Sequence, residues 1–329
     1  MKKFFLSLVA AIVVATATYA QNTLVATLTH GENVSYYYGD GAFGSAHKAA
    51  VSGDIITLSG GTFSNVSITK ALTIRGTGID ATTQTKINSI TINIPASDSI
   101  QFSMEGINCT NNVNMQGSCV TPYFLKCKFY SVSFNLSSSI KDATFVNCRI
   151  SNGLSLGSKS TIKMAHCFLN SYSNSNNNGS KAQFVYCVVR GNLQSFYNSS
   201  FINSIICSTS PASGYYLPSA TVAMNTLAIG TNPYGEMQGS QVDCYSATSY
   251  SSVFKSYSGT YSDSETFELT DNARTNYIST DGTTEVGLYG GQNPYSHIPL
   301  YPRISKMNVA KQATADGKLS VEIEVNAAQ

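Results

Sequence analysis

Apolar positions in the middle of the chain recur in a six-residue frame. The frame reads FLKCKF at 124–129, FVNCRI at 145–150, MAHCFL at 164–169, FVYCVV at 184–189 and FINSII at 201–206. Each copy places a small thiol or hydroxyl three residues after a large apolar side chain, and successive copies start 21, 19, 20 and 17 residues apart. A repeat of this length indicates a solenoid in which every copy supplies one turn.

The segments between these frames alternate apolar and polar residues over short stretches. Examples are SITINI at 89–94, VSFNL at 132–136 and GLSLG at 153–157. Alternation with a period of two is typical of short β-strands, and no helical stripe fills the intervals. The pattern therefore predicts an all-β fold, a single-stranded right-handed parallel β-helix with three short strands in each turn.

This fold explains the frame, because equivalent residues of successive coils stack about 4.8 Å apart into ladders. We expect the first residue of the frame to point inward at the end of one strand and the thiol to point inward at the start of the next. The predicted apolar ladder contains Phe124, Phe145, Met164, Phe184 and Phe201, and the predicted thiol ladder contains Cys127, Cys148, Cys167, Cys187 and Ser204.

The residue before each thiol is expected to form a sharp bend in the left-handed backbone conformation. Asparagine adopts this conformation more readily than most other residues that carry a side chain. Asparagine stands at four of the seven bend positions, Asn108, Asn147, Asn203 and Asn225, and the other three carry Lys126, His166 and Tyr186. We interpret His166 as a surface turn residue rather than a general base.

The start of the chain departs from the repeat. Residues 1–20, MKKFFLSLVAAIVVATATYA, place two lysines before an apolar run that ends in small residues, which is typical of a secretory signal peptide. We therefore expect an exported protein that is secreted, periplasmic or held at the outer cell surface. No other apolar stretch reaches the roughly 20 residues that a transmembrane helix needs.

Four further parts are predicted along the rest of the chain. Residues 21–51 form an N-terminal strand and helical cap, residues 52–262 the coils, residues 263–302 a C-terminal cap and residues 303–329 a β-hairpin-like tail. Caps are expected because an uncovered end of a β-solenoid is a template for aggregation. The predicted helix has an apolar side made of Ala42, Ala46, Ala49, Ala50 and Val51.

Composition is consistent with an ordered β protein. Only 12% of the 329 residues are charged, which is about half of the usual share near 25%. The chain has 20 tyrosines and 15 phenylalanines, whereas disordered chains usually have few aromatic residues. The formal net charge of +2 argues against nucleic acid as a partner, because a phosphate-binding face needs clustered Lys and Arg.

Eight cysteines in an exported chain would ordinarily suggest disulfides. Stacked side chains on parallel coils, however, hold their Cβ atoms somewhat farther apart than a disulfide favours. We therefore expect the ladder cysteines to be buried free thiols, and we leave open the pairing of Cys119, Cys207 and Cys244. The CxxC-like clusters that a zinc site needs are missing, so we expect no metal and no cofactor.

Two segments resemble a known group of proteins. GDIITLSGGTFSNVSITKALTIRGTG at 53–78 is similar to the opening coils of secreted right-handed parallel β-helix (pectin-lyase-like) proteins of Bacteroides-type bacteria. GTTEVGLYGGQNPY at 282–295 and TADGKL at 314–319 resemble the C-terminal end of the same group. The group brings no assigned activity. The wider superfamily includes pectate lyases, polygalacturonases and adhesins, so the resemblance leaves the function open.

Catalytic carboxylates are sparse on the predicted coils. Between residues 86 and 230 the chain has Asp98, Glu105 and Asp142, whose spacings do not match one or two coils, against nine Lys and Arg. Sugar hydrolases of this fold need clustered aspartates on adjacent coils. We therefore predict that the protein is not an enzyme. The alternative is a polysaccharide lyase with a Tyr or His base, drawing on Arg149 and Arg190, or on Lys126 and Lys128 with Tyr130.

Tyrosine is concentrated near the C-terminal end, where eleven of the 20 tyrosines fall between residues 215 and 301. Exposed tyrosines suit stacking on sugars, since the ring is apolar and its tip is polar. We predict Tyr245, Tyr250, Tyr257 and Tyr261 as ligand-binding residues. The competing interpretation is that these rings pack inside the cap. The predicted function is a non-catalytic binding surface for acidic or neutral polysaccharide or a cell-surface partner, and the alternative to binding is a purely structural scaffold.

Overall fold

The computed structural model describes most of the chain after its first segment. The described residues are 24–119, 121–135, 140–174, 179–192, 195–208, 218, 220–230, 234, 239–296, 298, 303–309 and 321–326. The predicted signal peptide, residues 1–20, lies outside them. The described chain is a parallel β-solenoid with three short helices, which confirms the predicted fold class.

One face of the solenoid is a sheet of 12 strands, which we call the first sheet. In sheet order its strands are Asn33–Tyr38, Val25–His30, Ile55–Leu58, Thr73–Arg75, Ser103–Glu105, Tyr123–Leu125, Ala143–Val146, Thr161–Ala165, Lys181–Val185, Ser199–Ile202, Val222–Met224 and Ser240–Val242. The two strands nearest the N-terminus form an antiparallel hairpin that joins the third strand antiparallel. The others are parallel, one from each successive coil.

The second sheet has 13 strands and covers the other faces. In chain order these are Gly61–Phe63, Val66–Ile68, Thr85–Ile87, Ile90–Ile94, Asn108–Gly117, Lys128–Phe134, Arg149–Ser155, Phe168–Leu169, Tyr172–Ser173, Val188–Gly191, Ile205–Ser208, Leu227–Ile229 and Tyr245–Ala247. Register shifts inside the long strands between Cys109 and Asn112, and between Phe129 and Ser131, turn the chain from one face to the next. The middle coils therefore have three faces.

The bends between the first and second sheets use the left-handed conformation. Positive φ angles occur at Lys126, Asn147, His166, Tyr186, Asn203 and Asn225, all between 42° and 52°. The expected bend at Asn108 is wrong: Met104 aligns with Phe124, so the equivalent bend is Gly106, with φ 65°. Asn108 lies in the following strand opposite Lys128. A glycine fits this bend because it tolerates positive φ without a steric penalty.

The interior of the solenoid contains the aromatic ladder. Phe124, Phe145, Met164, Phe184 and Phe201 lie in register on successive coils and are buried. The rings of Phe124 and Phe145 stack with centroids 4.7 Å apart, and those of Phe184 and Phe201 stack at 4.9 Å. Met164 lies between the two stacked pairs, where its flexible side chain fills the core.

The small residues after the bends are buried beside this aromatic ladder. The thiols of Cys127, Cys148, Cys167 and Cys187, and the hydroxyl of Ser204, each donate to the backbone carbonyl two residues earlier. All eight cysteines are free. Cys109 does not belong to this ladder, because its register partner is Phe129. Cys119 and Cys207 are buried, and Cys244 is partly buried.

Helix α1, Ala42–Ala49, packs near the N-terminal hairpin. Its buried residues are Ala42, Phe43, Ala46 and His47, whereas Val51, expected on the apolar side, is exposed after the helix has ended. The ammonium of Lys70 donates to the carbonyls of His47, Lys48 and Ala50. A cation at this position satisfies the last carbonyls of the helix and complements its dipole.

The C-terminal segment, which we define as residues 250–296 and 298, lies along the outer surface of the second sheet. It contains helices α2, Tyr250–Val253, and α3, Asp271–Asn276. Outward apolar residues of the second sheet, such as Phe168, Val188 and Ile205, form a second hydrophobic cluster with this segment. The part predicted as an end cap, residues 263–302, thus packs against the side of the coils over its described residues. The apolar outer face of the sheet requires such a cover.

After this segment, Arg303–Val309 pairs antiparallel with Val321–Asn326 as a two-stranded sheet. The predicted hairpin-like tail therefore forms a sheet in its described residues. No helix in the described ranges combines the length and apolarity required to cross a membrane.

Candidate functional site

The outer surface of the first sheet contains an open groove. Its cavity volume is about 480 Å³, within the range of small-ligand sites. Polar side chains from four neighbouring coils line it, including Asp142, Thr161, Lys163, Lys181, Gln183 and Ser200.

Strand alternation places these polar side chains on the outer surface. Lys163 stands between Ile162 and Met164, which are buried, and Gln183 stands between the buried Ala182 and Phe184. The parallel register sets Lys163 beside Gln183 and Thr161 beside Lys181. The groove therefore presents one row of polar groups for each coil, at the spacing of adjacent strands.

The groove carries more positive than negative charge. The Lys163 ammonium lies 3.7 Å from the Asp142 carboxylate, and the two side chains are 58% and 51% exposed. Asp142 also receives a hydrogen bond from the Thr161 hydroxyl at 3.4 Å, while its own backbone N–H donates to that hydroxyl at 2.6 Å. Lys181 is exposed and forms no salt bridge with the described residues.

A column of apolar side chains runs next to the polar positions. Leu125, Val146, Ala165, Val185, Ile202 and Met224 lie in register and are partly buried on the outer surface. Val222, which lines the groove, is 41% exposed. A polar row beside an apolar row suits a ligand with hydroxyls on its edges and apolar faces, such as a sugar.

Carboxylates are sparse in the lining of the groove. Asp142 is the single carboxylate among its lining residues, and it is engaged by Lys163 and Thr161. Within the described residues, no three His, Cys, Asp or Glu side chains are grouped so that they could hold a metal ion.

The four predicted tyrosines lie outside this groove, in or against the second hydrophobic cluster. Tyr257 is 1% exposed and its ring contacts those of Tyr250, Phe254 and Phe267. The Tyr245 hydroxyl donates to the carbonyl of Ile278 at 2.9 Å. Burial raises the pKa of Tyr250 to about 12. These rings belong to, or pack against, the second hydrophobic cluster, which covers the apolar outer face of the second sheet.

Tyr261 has a similar environment. Its ring stacks on Phe168 with centroids 4.9 Å apart and planes 7° from parallel. Its hydroxyl donates to Asp263 at 2.7 Å. One ring face is therefore already covered by protein.

The cations considered for a lyase also face the C-terminal segment. Lys126 is 3% exposed, and its ammonium donates to the carbonyl of Ile298. Burial lowers the pKa of Lys126. Lys128 pairs with Asp263, and Arg149 lies over the rings of Phe168, Tyr261 and Phe267.

Arg190 and Tyr130, which complete that alternative, are far apart along the coils. One Arg190 terminal nitrogen donates to the amide oxygen of Asn170 at 3.3 Å. Tyr130 is 46% exposed. A tyrosine does lie beside Lys128 and Arg149, namely Tyr261, but its hydroxyl already donates to Asp263.

The bends have a role that sequence reasoning missed, because they anchor the C-terminal segment. Bend side chains that are not asparagine each contact it: Lys126 binds the Ile298 carbonyl, His166 binds the Leu288 carbonyl at 3.0 Å, and Tyr186 donates to the Ser279 hydroxyl at 3.1 Å. Asn203 bonds to both the backbone N–H and the hydroxyl of Thr280, each at 2.9 Å. The sequence did indicate this role, because Lys126, His166 and Tyr186 stand at three bends in place of the preferred asparagine.

The groove residues Lys163, Lys181 and Asp142 were also missed as a site. The sequence indicated these residues only through their outward positions in strands that the repeat defines. Comparisons with known proteins add no family assignment. No protein-family model matches the chain, and searches of curated proteins and of solved structures gave no significant match either.

Proposed function

We propose that this chain is an exported, non-catalytic β-helix protein that binds acidic polysaccharide in the groove of the first sheet. The observation that carries the proposal is the pair of exposed ammonium groups, Lys163 and Lys181, on adjacent coils of one groove. Asp142 is the one carboxylate among the residues that line this groove. An acidic sugar chain would meet net positive charge there.

The neutral lining supports a sugar rather than a simple anion. Gln183 offers an amide beside Lys163, Ser200 offers a hydroxyl on the next coil, and Val222 offers an apolar contact one coil further. A pyranose ring presents hydroxyls at its edge and C–H groups on its face, so it complements both kinds of group. Several weak contacts repeated over adjacent coils would add along a polymer.

The non-catalytic part of the proposal rests on the acid–base inventory of the groove. Glycoside hydrolysis uses two carboxylates at a defined separation, one as acid and one as base or nucleophile. Elimination by a lyase needs a base within hydrogen-bonding reach of the abstracted proton. The groove offers Asp142 alone, held by Lys163.

Export and the resemblance noted above belong to the same proposal. A signal peptide over residues 1–20 would deliver the protein to where extracellular polysaccharide is met. The similarity of residues 53–78 to pectin-lyase-like β-helix proteins of Bacteroides-type bacteria agrees with a surface or secreted role.

The test is binding of polygalacturonate, alginate and a neutral glucan to the mature protein. The variant Lys163→Gln/Lys181→Gln keeps side-chain length and removes both charges, and Lys86→Gln removes an exposed charge on the second sheet as a matched control. We expect the double variant to bind the acidic polymers at least tenfold more weakly, the control to bind normally, and binding to weaken in high salt.

Three outcomes would contradict the proposal. Equal affinities of the double variant and the control for acidic polysaccharide would show that the groove is not the binding site. Release of unsaturated or reducing ends would show an enzyme. Retention of no polysaccharide at all would leave the structural scaffold as the better interpretation.

A further inference from the structure

Two tyrosines are open to solvent on the N-terminal hairpin. Tyr36 is 59% exposed and Tyr38 is 66% exposed, more than any other tyrosine of the described residues. Tyr37, which stands between them, is partly buried and packs against the solenoid core. Because side chains alternate along a strand, this packing directs both neighbouring rings to the outer surface of the first sheet.

Threonine hydroxyls lie beside these rings on the same face. The antiparallel register pairs Tyr36 with Thr27, and it pairs Thr27 with Thr57 on the following strand. Thr29 stands two residues after Thr27 and therefore shares its face. We call this surface the hairpin platform and define it by Thr27, Thr29, Tyr36, Tyr38 and Thr57.

The side chains of the hairpin platform have no partner within the described residues. None of the five forms a hydrogen bond, an ion pair or a ring contact through its side chain there. Each hydroxyl can donate one hydrogen bond and accept others, and each tyrosine ring offers an apolar face. Sugars present the complementary groups, with hydroxyls at the edge of the ring and C–H groups on its face.

The hairpin platform ends at an unshielded sheet edge. Asn33–Tyr38 is the outermost strand of the first sheet, and it contains no lysine, arginine or proline. Natural proteins usually protect an exposed edge strand with such residues. An edge strand with exposed rings and no such protection is typical of an interaction surface.

The charges at the ends of this strand select among the partners that could cover it. Glu32 and Asp40 flank the strand, are exposed and form no salt bridge within the described residues. An antiparallel second copy would bring Glu32 of one chain near Asp40 of the other, and like charges across strands are destabilising. The same acids repel an acidic sugar chain, whereas a neutral sugar chain meets no opposing charge.

We propose that the hairpin platform is a second binding site, and that it binds an extended neutral polysaccharide with β-1,4-linked units. Residues that share a face of a strand two positions apart are separated by about 7 Å, so the rings of Tyr36 and Tyr38 would stack on neighbouring units of one straight chain. The threonine hydroxyls would bond to the edge of that chain. This proposal does not rest on the groove, which lies on later coils and binds through its lysines.

The variant Tyr36→Thr/Tyr38→Thr tests the proposal, because threonine keeps a high strand propensity and a hydroxyl but removes the ring. The probes are hydroxyethyl cellulose, xyloglucan and galactomannan, compared by affinity electrophoresis of the mature protein. We expect at least one of the three polymers to retard the unaltered protein, and the variant to bind that polymer at least tenfold more weakly. Tyr130→Thr removes an exposed ring from the second sheet as a matched control and should bind normally.

Further variants separate this site from a folding defect and from the groove. Tyr36→Phe/Tyr38→Phe keeps both rings and should retain most of the binding. Binding should persist in high salt and in the variant Lys163→Gln/Lys181→Gln, since it does not depend on charge.

Three results would overturn the proposal. The first is that none of the three polymers retards the unaltered protein. The second is that Tyr36→Thr/Tyr38→Thr and Tyr130→Thr have equal affinities for the polymer. The third is a change from dimer to monomer in Tyr36→Thr/Tyr38→Thr without a loss of polysaccharide binding, because it would assign the hairpin platform to a second copy of the chain.

Discussion

The imidazole Nδ1 of His166 lies 3.0 Å from the backbone carbonyl oxygen of Leu288, 122 positions later in the chain. A carbonyl only accepts, so Nδ1 donates and the ring is oriented by this bond. The ring also stacks on Tyr186, with centroids 5.0 Å apart and planes 4° from parallel. A bend residue thus joins its coil to the C-terminal segment.

Stability is expected to fall as the pH falls through the titration range of histidine. Burial lowers the pKa of His166 below its ordinary value of 6.5. The unfolded chain then binds the proton more readily than the native protein, so the contribution is complete above about pH 6.5 and is lost as the pH falls toward the native pKa. Thermal melts from pH 7.5 to pH 5 should show the loss.

The variant His166→Asn isolates this contribution, because asparagine suits the positive φ of 49° at this bend. We expect a smaller loss of melting temperature on acidification than in the unaltered protein. Part of the pH dependence should persist, because burial also lowers the pKa of His47. An unchanged pH profile in His166→Asn would show that His166 does not contribute.

Truncation of the aromatic ladder should be costly. Phe145 is fully buried and stacks on Phe124, so Phe145→Ala leaves a cavity between two coils. We expect a loss of about 3–5 kcal/mol in the free energy of unfolding, measured by denaturant titration. Tyr130→Ala, at a position 46% exposed, serves as control and should cost far less. Equal midpoints for Phe145→Ala and the control would contradict the structure.

The ladder thiols should be inert in the native protein. Burial raises the pKa of both Cys127 and Cys167 well above the usual value, so neither forms a thiolate near neutral pH. A thiol reagent should modify Cys244, which is partly buried, before any ladder cysteine. Mass mapping before and after unfolding checks the order. Native labelling of Cys127 ahead of Cys244 would count against it.

The left-handed bends predict a contrast between two substitutions of one residue. Asn147 has φ 52°, and its side-chain oxygen has no hydrogen-bond partner among the described residues. Asn147→Gly should therefore be nearly neutral, whereas Asn147→Val should cost at least about 1–2 kcal/mol, because a β-branched residue is strained in this conformation. Denaturant unfolding of both variants gives the difference. Equal stabilities would argue against a strained bend.

The parallel β-solenoid was predictable because every coil must place apolar side chains at the same inward positions. Because Phe145 points inward, its register partners Met164 and Phe184 on the next two coils must also be apolar. This requirement appears in the sequence as a repeat. The six-residue frame gave a wrong bend position at Asn108, where the sequence resembles the frame only by chance. Cys109 follows an asparagine, yet the bend is at Gly106 and the inward residue after it is Ile107.

The C-terminal segment was harder to place, because its contacts join residues far apart in sequence. Nothing local in the tyrosine-rich stretch separates a ring that stacks on an external ligand from one that stacks on Phe168. The outward Phe168, Val188 and Ile205 were the clue, since three apolar residues in register on an outer face require cover. The groove was not predicted, because each of its lysines looks like an ordinary surface residue when its coil is considered alone.

The contacts at the bends have a consequence for how the molecule unfolds. In a solenoid each coil touches only its neighbours, so coils can melt in sequence from an end. Here one segment is bonded at Lys126, at His166 and at Asn203, which belong to different coils. Loss of any one of these coils strains the attachment of the others, so the coils from Lys126 to Asn203 should unfold as a single cooperative unit, while the first coils, which precede Lys126, can fray independently.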